Sequence, residues 1–325
     1  MTLSRRRLLA FAALAPLCAG RALAQSPAFP VKTVRIVVPY NVGLGPDIVA
    51  RAVAASMEQA WGQGVIVENK PGAAGIIAMS EVRRAAPDGH TLFVGDAGSL
   101  AANPLIYRNL PYLVSDFAPL TTLFNATFVI WVRTGSRFRT VRELIDAARA
   151  KPESVSFGSL GNGHPSHLAV ESFAAAAGIT LLHVPFKDAG AMMTAVATGD
   201  CDFTTLSANT SSGMVKAGKW RGLAVAAPSR IREHPEIPTL AEAGGPAVTM
   251  QPWAALLGVA GTPEPILDKI HRQTLAALNS PDIRSRIEAA GFDVLPSTPA
   301  QLVERIRRDT ATYTPLVASG RVRVE

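Results

Sequence analysis

Cysteine is nearly absent from this sequence: only Cys18 and Cys201 occur among its 325 residues. A disulfide framework and a cysteine-rich metal site are both excluded, so stability has to come from apolar cores. Long hydrophobic runs are missing too. The most apolar stretch, Leu8 to Gly20, falls short of the about 20 residues a membrane-spanning helix needs. Aromatic residues make up only 6% of the chain, and its Lys and Arg residues are scattered without aromatic interleaving, which argues against a nucleic-acid surface. The one basic cluster, Arg305, Arg307 and Arg308, falls in a helical pattern and reads as a solvated face. No low-complexity tail or internal repeat appears, and 48% of the residues are hydrophobic, as globular packing requires.

What is present begins with a leader. Met1-Thr2-Leu3-Ser4-Arg5-Arg6-Arg7, the apolar run and Ala22-Leu23-Ala24 are the positive, apolar and small-residue regions of a secretory signal peptide. Cleavage is expected near Ala24, leaving an exported, periplasmic, soluble chain that starts at Gln25. Ser4 to Leu9 suits the twin-arginine route as well as ordinary secretion. Cys18 follows Leu17 rather than a small residue, so no lipid anchor is expected. Removing residues 1–24 takes away Arg5, Arg6, Arg7 and Arg21 and no acid, which lowers the formal charge from +7 to +3. The remaining chain, about 300 residues long, is large enough to divide into two domains.

Strand-like and helix-like segments then alternate, the pattern of α/β layers with largely parallel sheets. Strands are expected at Val34–Val38, Val65–Glu68 and Thr91–Val94, with helices over Asp47–Trp61 and Ile76–Ala86 between them. Phe128–Val132 leads to a helix opened by Thr140 and Glu143, which have capping-box spacing. Strands at Val155–Phe157, Leu181–Pro185, Cys201–Thr205 and Leu223–Val225 and helices over His167–Ala177 and Ala189–Thr198 make a second lobe. Trp253–Val259 reads as a strand crossing back. It is followed by a helix opened by Pro263 and a last helix that begins in the capping box Thr298–Gln301 and ends near Gly320. The helices after the crossing strand have no sheet of their own and are expected to pack on the first lobe. The organisation expected is therefore residues 25–126 with 253–325 as lobe 1 and 127–252 as lobe 2, joined by two crossings.

In open α/β sheets ligands sit beyond the carboxyl ends of strands. Three such loops are rich in glycine and small polar residues: Tyr40, Asn41, Val42, Gly43, Leu44, Gly45, Pro46 and Asp47; Asp96, Ala97, Gly98 and Ser99; and Gly161, Asn162, Gly163, His164, Pro165 and Ser166. Glycine lets backbone N–H groups approach an anion, and a helix N-terminus adds partial positive charge there. Each loop alone reads more readily as a plain strand-to-helix turn than as a ligand cradle. Three together at strand ends of two lobes point to a carboxylate-binding cleft.

Individual side chains carry competing readings. Asp47 opens a helix and is an N-terminal helix acid that also fixes the first loop. His164 and His167 have half of a metal-site spacing, and His164 with Ser166 suggests a base and a nucleophile. No further His, Cys or Glu completes a ligand set, and no Gly-x-Ser-x-Gly elbow appears. Neither a catalytic residue, a metal nor a cofactor is therefore expected. Lys187 is either an anion contact across the cleft or an exposed loop lysine. Thr205 and Ser207, at the end of the strand that starts at Cys201, complete the candidate set, and Cys201 reads as a small buried hydrophobe.

The chain resembles the Bug family, the periplasmic receptors of tripartite tricarboxylate transporters. The resemblance covers nearly the whole mature chain. It rests on Ile36-Val37-Val38-Pro39-Tyr40 running into Gly43, Gly45 and Asp47; on Val67 to Gly75; on Ala86 to Leu92; and on Asn103 to Tyr107. Ser115 to Leu120, Gly161 to Leu168, His183 to Lys187, Lys216 to Lys219 and Ile237 to Gly244 continue it. It implies a type II periplasmic binding fold in which two α/β lobes close on a small organic acid held by loop backbone groups and waters. A membrane permease on other chains would receive the ligand, and the receptor itself would be monomeric. By matched position the ligand residues would lie in Tyr40 to Asp47, around Ser99, in Gly161 to Ser166, and at Lys187.

The first loop departs from the family's Pro-Pro-Gly-Gly-Gly pattern with Ser or Thr before the Asp: Asn41, Val42, Leu44 and Pro46 intervene, and Pro46 removes a backbone donor. Leu206-Ser207 stands where the family often carries Asp-Asn. The expected ligand therefore has an apolar or aromatic body and one carboxylate rather than the charge of citrate. Two other functions remain in competition: a sensing subunit that signals to a membrane kinase, and a periplasmic hydrolase or metal enzyme.

Overall fold

A computed structural model describes residues 29–322; the signal-peptide expectation for residues 1–24 lies outside the described residues. β-branched density makes the first strand, β1 (Val34–Val38), and it is buried along its length apart from Arg35. Helix α1 (Gly45–Trp61) follows, with Pro46 in its first turn and the left-handed Gly62 ending it. Next come β2 (Val65–Asn69), α2 (Ile76–Val82) and β3 (Thr91–Asp96). A π-turn over Gly98–Ala102 runs directly into the short α3 (Asn103–Ile106).

The chain leaves this region through β4 (Phe117–Ala126) and enters the second sheet through β5 (Phe128–Arg133). The second lobe contains α4 (Val141–Ala150), β6 (Ser156–Ser159), α5 (Pro165–Ala177), β7 (Leu182–Pro185), α6 (Ala189–Thr198), β8 (Phe203–Ser207), α7 (Ala208–Lys216) and β9 (Trp220–Val225). β10 (Trp253–Val259) returns to the first sheet and is followed by α8 (Glu264–Asn279), α9 (Pro281–Ala289), β11 (Phe292–Val294) and α10 (Pro299–Ala318). Caps expected from the sequence form: Thr140 accepts the Glu143 N–H at 3.2 Å, and Thr298 and Gln301 make a reciprocal capping box.

The first sheet has the order β11-β4-β10-β3-β1-β2 and the second β7-β6-β8-β5-β9. Both are mixed, which corrects the expectation of largely parallel sheets. β1, β2 and β3 pair in parallel, as do β6, β7 and β8. The pairings of β4, β5, β10 and β11 are antiparallel, because the strands that carry the chain between sheets run against the βαβ units they join. β11 is a second correction: the C-terminal region does supply a strand, at the edge of the first sheet against β4. The two crossings lie side by side. Ala126 N–H donates to Pro252 O at 2.8 Å and Phe128 N–H to Met250 O at 3.1 Å, a short ladder that joins the two crossings.

Each sheet is filled on both faces. Val34, Ile36, Met57, Leu92, Leu256 and Ile287 belong to one core of the first lobe, and Phe93, Met79, Leu257 and Leu302 to the core on its other face. In the second lobe Ile130, Phe157, Phe173 and Phe203 share one core, and Trp131, Met192, Val196 and Cys201 the other. A smaller cluster joins the lobes: Ala102 and Ile106 meet Leu168 of α5 and Leu316 and Val322 from the C-terminal end. The carboxyl ends of β1, β3 and β6 consequently face one another across a gap.

Candidate functional site

That gap is a cleft of about 620 Å³. Its walls from the first lobe are Pro39, Tyr40, Asn41, Leu44, the segment Pro71–Gly75, Asp96, Gly98 and Tyr107; those from the second are Leu160 to Pro165 and Pro185 to Asp188. A smaller apolar annex of about 80 Å³ shares Tyr40, Leu44, Leu160, His164 and Pro165 with the cleft. It runs toward the crossings between Phe124, Phe128, Leu206, Trp253 and Phe292.

The first loop is held from behind. Asp47 is buried; its carboxylate accepts the Gly43 N–H at 2.9 Å and Asn69 Nδ2 at 2.8 Å and pairs with Arg51 at 2.9 Å. Burial acts to raise its pKa, but these donors and the Arg51 charge outweigh it and leave the carboxyl below its ordinary value. Gly45 starts α1 against the Phe292 ring, where a Cβ would stand 2.6 Å from Cζ. The loop therefore has one shape, with Tyr40 turned inward and Val42 turned out.

Tyr40 donates its O–H to Asp96 Oδ2, a short bond within the cleft wall. Burial, reinforced by the Asp96 charge, holds the phenol protonated far above its usual range. Asp96 Oδ1 in turn accepts from Ser99 N at 2.7 Å and Ser99 Oγ at 2.9 Å. Across the cleft His164 caps α5: its Nδ1 accepts the Ser166 N–H at 3.1 Å and lies 2.8 Å from Ser166 Oγ. An Nδ1 that accepts leaves the proton on Nε2, which is buried and has no hydrogen-bond partner. Burial pushes the imidazole pKa down to about 4 although Asp96 opposes the shift, so the ring is neutral near pH 7. The rings of Tyr40 and His164 meet edge to face at 5.8 Å, which ties the two walls at one point.

A family model for the tripartite tricarboxylate transporter family receptor matches residues 49–319. The chain belongs to this receptor family. A protein encoded in the tcbD-tcbE intergenic region of a Pseudomonas species is 31% identical over 322 residues, 98% of this chain and 96% of that one. Among solved structures, the Rhodopseudomonas palustris protein Rpa4515 with adipate superposes with a TM-score of 0.84 at 27% identity, covering 91% of this chain and 100% of its own. MatC from the same organism, with bound malate, gives 0.80 at 28% identity, with 89% and 99% coverage. The receptor accordingly has the type II periplasmic binding protein fold.

Of the residues singled out in the receptor's sequence, Tyr40, Asn41, Leu44, Gly98, Gly161, Asn162, Gly163, His164 and Lys187 line the main cleft. Gly45 and Ser207 line the annex. The others stand outside both linings, each for a physical reason. Val42 is 71% exposed at the loop's outer turn. Gly43 gives its N–H to Asp47, and Asp47 is spent on that loop. Ala97 and Ser99 are packed beneath Gly98, with Ser99 completing the Asp96 contacts. Ser166 is fully buried in the cap of α5, where its Oγ also accepts the Leu160 N–H, so the His164–Ser166 pair is a helix cap with no open nucleophile. Thr205 is buried and donates to Ser166 O at 3.3 Å. Among the described residues no three His, Cys, Asp or Glu side chains group as a metal site.

Sequence reasoning passed over one whole wall. Pro71–Gly75 lines the cleft with Gly72, Ala73, Ala74 and Gly75 all at positive φ, a conformation the two alanines adopt only under restraint. Asn103 Nδ2 supplies part of that restraint by donating to Ala74 O at 2.9 Å. The run of small residues between a strand and a helix was a signal of the same kind as the glycine loops. Tyr107, just after α3, and Phe186, just after β7, were missed as well, because an isolated aromatic has no pattern to mark it, and Asp96 was counted with its loop without a role of its own.

Proposed function

We propose that this protein is a periplasmic solute receptor that captures a small organic carboxylate in the cleft and delivers it to the membrane permease of a tripartite transporter. The observation that carries the reading is the juxtaposition of glycine-rich strand-end loops from both sheets around a cleft of about 620 Å³, a geometry suited to holding an anion by backbone N–H groups. Relatives described with malate and adipate lend support. In this reading lobe 1 comprises residues 25–126 and 253–325 and lobe 2 residues 127–252. The chain acts as an exported monomer without chemistry of its own.

Tyr40, Asn41, Leu44, Gly98, Gly161 to His164 and Lys187 are the proposed ligand contacts. Asp47, Ser99, Ser166 and Thr205 position their loops. The apolar annex favours a ligand with an apolar or aromatic body and one carboxylate over citrate. Isothermal titration calorimetry of the mature chain against citrate, malate, adipate and aromatic and aliphatic monoacids tests this. A monoacid should bind most tightly; a preference for citrate would contradict the reading of the cleft's polarity. Co-purification with the neighbouring membrane components separates a permease partner from a sensor kinase.

A further inference from the structure

We infer that the ligand is an α-amino acid with an apolar side chain, its ammonium facing Asp96 and its carboxylate held by the Nε2–H of His164. This rests on the receptor reading and narrows it to one ligand class. Asp96 is a carboxylate set in the wall of a site that has to accept another carboxylate. It is only 6% exposed, and among the described residues it forms no salt bridge. Its hydrogen bonds come from Ser99 N–H, Ser99 O–H and Tyr40 O–H, all neutral donors. A carboxylate offers about four lone-pair sites, so Oδ2 retains capacity for one more donor. A buried anion without a counter-charge is a costly arrangement that a cationic ligand group relieves.

His164 supplies the opposite pole. The Ser166 N–H fixes the tautomer by occupying Nδ1, and the ring, which lines the cleft, is left with a buried Nε2–H that lacks an acceptor. As a neutral donor it binds a carboxylate without adding charge. The charged side chains lining the cleft are Asp96, Lys187 and Asp188, so the lining carries one net negative charge. A dianion brought beside Asp96 meets like charge in a partly desolvated site, whereas a zwitterion presents its cation to Asp96 and its anion to His164. Tyr40 brings the two poles within reach of one small head group, since it bonds Asp96 through its hydroxyl and its ring meets that of His164 in a T-shaped contact. The annex, which opens at Tyr40, Leu44 and His164, then receives the apolar side chain.

The test is calorimetry on the mature chain, stripped of bound solute by unfolding and refolding, with three compounds of one skeleton: phenylalanine, phenyllactate and 3-phenylpropionate. A parallel set uses leucine, 2-hydroxyisocaproate and 4-methylpentanoate. In at least one set the amino acid should bind tenfold or more tighter than both analogues. Asp96→Asn should reduce the preference of the amino acid over its desamino analogue from tenfold or more to less than threefold. The wild-type series decides the question by itself if Asp96→Asn does not fold. If a hydroxy acid, desamino acid, malate, adipate or citrate binds as tightly as the amino acids, the inference is overturned and the receptor reading stands. Absence of binding by every compound in the panel overturns both.

Discussion

Gly98 gives the sharpest test of closure, because its backbone lies directly against that of the opposite lobe. A Cβ placed there would stand 2.7 Å from the carbonyl oxygen of Gly163 on the opposite lobe, 3.2 Å from Asp96 Oδ1 and 3.3 Å from Pro165 Cδ. Ordinary contact begins at 3.4 Å, so the backbone contact is about 0.7 Å too short and the carbonyl cannot turn aside as a side chain would. Gly98 does not have a positive φ, so alanine suits its backbone, and within lobe 1 it asks only a small adjustment of the Asp96 side chain. Gly98→Ala should thus leave each lobe folded while opposing the closed arrangement by about 1–3 kcal/mol, the usual range for overpacking. Since 1.4 kcal/mol is tenfold, ligand affinity should fall by about 5- to 150-fold. Calorimetry reads the affinity, small-angle scattering the radius with and without ligand, and thermal denaturation the fold. Gly135→Ala, where a Cβ meets nothing within 4 Å, is the control. Unchanged affinity and an unchanged ligand-bound radius in Gly98→Ala would refute the claim that the lobes meet here around the ligand.

Other predictions concern stability. Glu171 is buried 3.6 Å from Arg321, and burial, partly opposed by that guanidinium, pushes its carboxyl up to about 7. A carboxyl raised above its unfolded value of 4.5 contributes stability that is complete below that pH and is lost as pH rises through 7. The shift corresponds to up to about 3 kcal/mol. Glu171→Gln should match the wild type near pH 4.5 and exceed it at pH 8 in urea denaturation; a weaker variant at pH 8 would show that the Arg321 pair outweighs burial. Thr140→Ala removes the cap on α4 and should cost about 1 kcal/mol by the same assay. Asp47→Ala leaves Gly43 N–H, Asn69 and Arg51 without their shared acceptor and should lower stability by about 2–4 kcal/mol. It should also weaken ligand binding by freeing the first loop, as calorimetry would show.

The alternation of β-branched strands and amphipathic helices was legible wherever one segment carried a single period. β1, β3, β5 and β10 were readable because their apolar runs are short and bounded by turn residues. β4 was not, since Pro119 and Asn125 interrupt a strand that has to serve two antiparallel neighbours. β11 is held in place by tertiary contact through Phe292 and Val294 and is too short to announce itself. Helix α7, with two serines, a threonine and a glycine, has little helical propensity and relies on the Ser207 cap. At the cleft, glycine loops were visible because backbone freedom is written in residue type. Which side of a loop faces the ligand was not visible: that depends on hydrogen bonds such as Asn69 to Asp47 and Tyr40 to Asp96, formed across positions that only folding brings together.

The central claim is that the cleft between the two sheets holds a small carboxylate-bearing solute. Native mass spectrometry of the protein purified without denaturation tests it most directly, compared with the same protein after unfolding and refolding. A small adduct that disappears on refolding, returns when the solute is added back, and is lost in Gly98→Ala is the predicted result. A chain with no adduct, and no change in mass or melting temperature with any carboxylate in the panel, would contradict it.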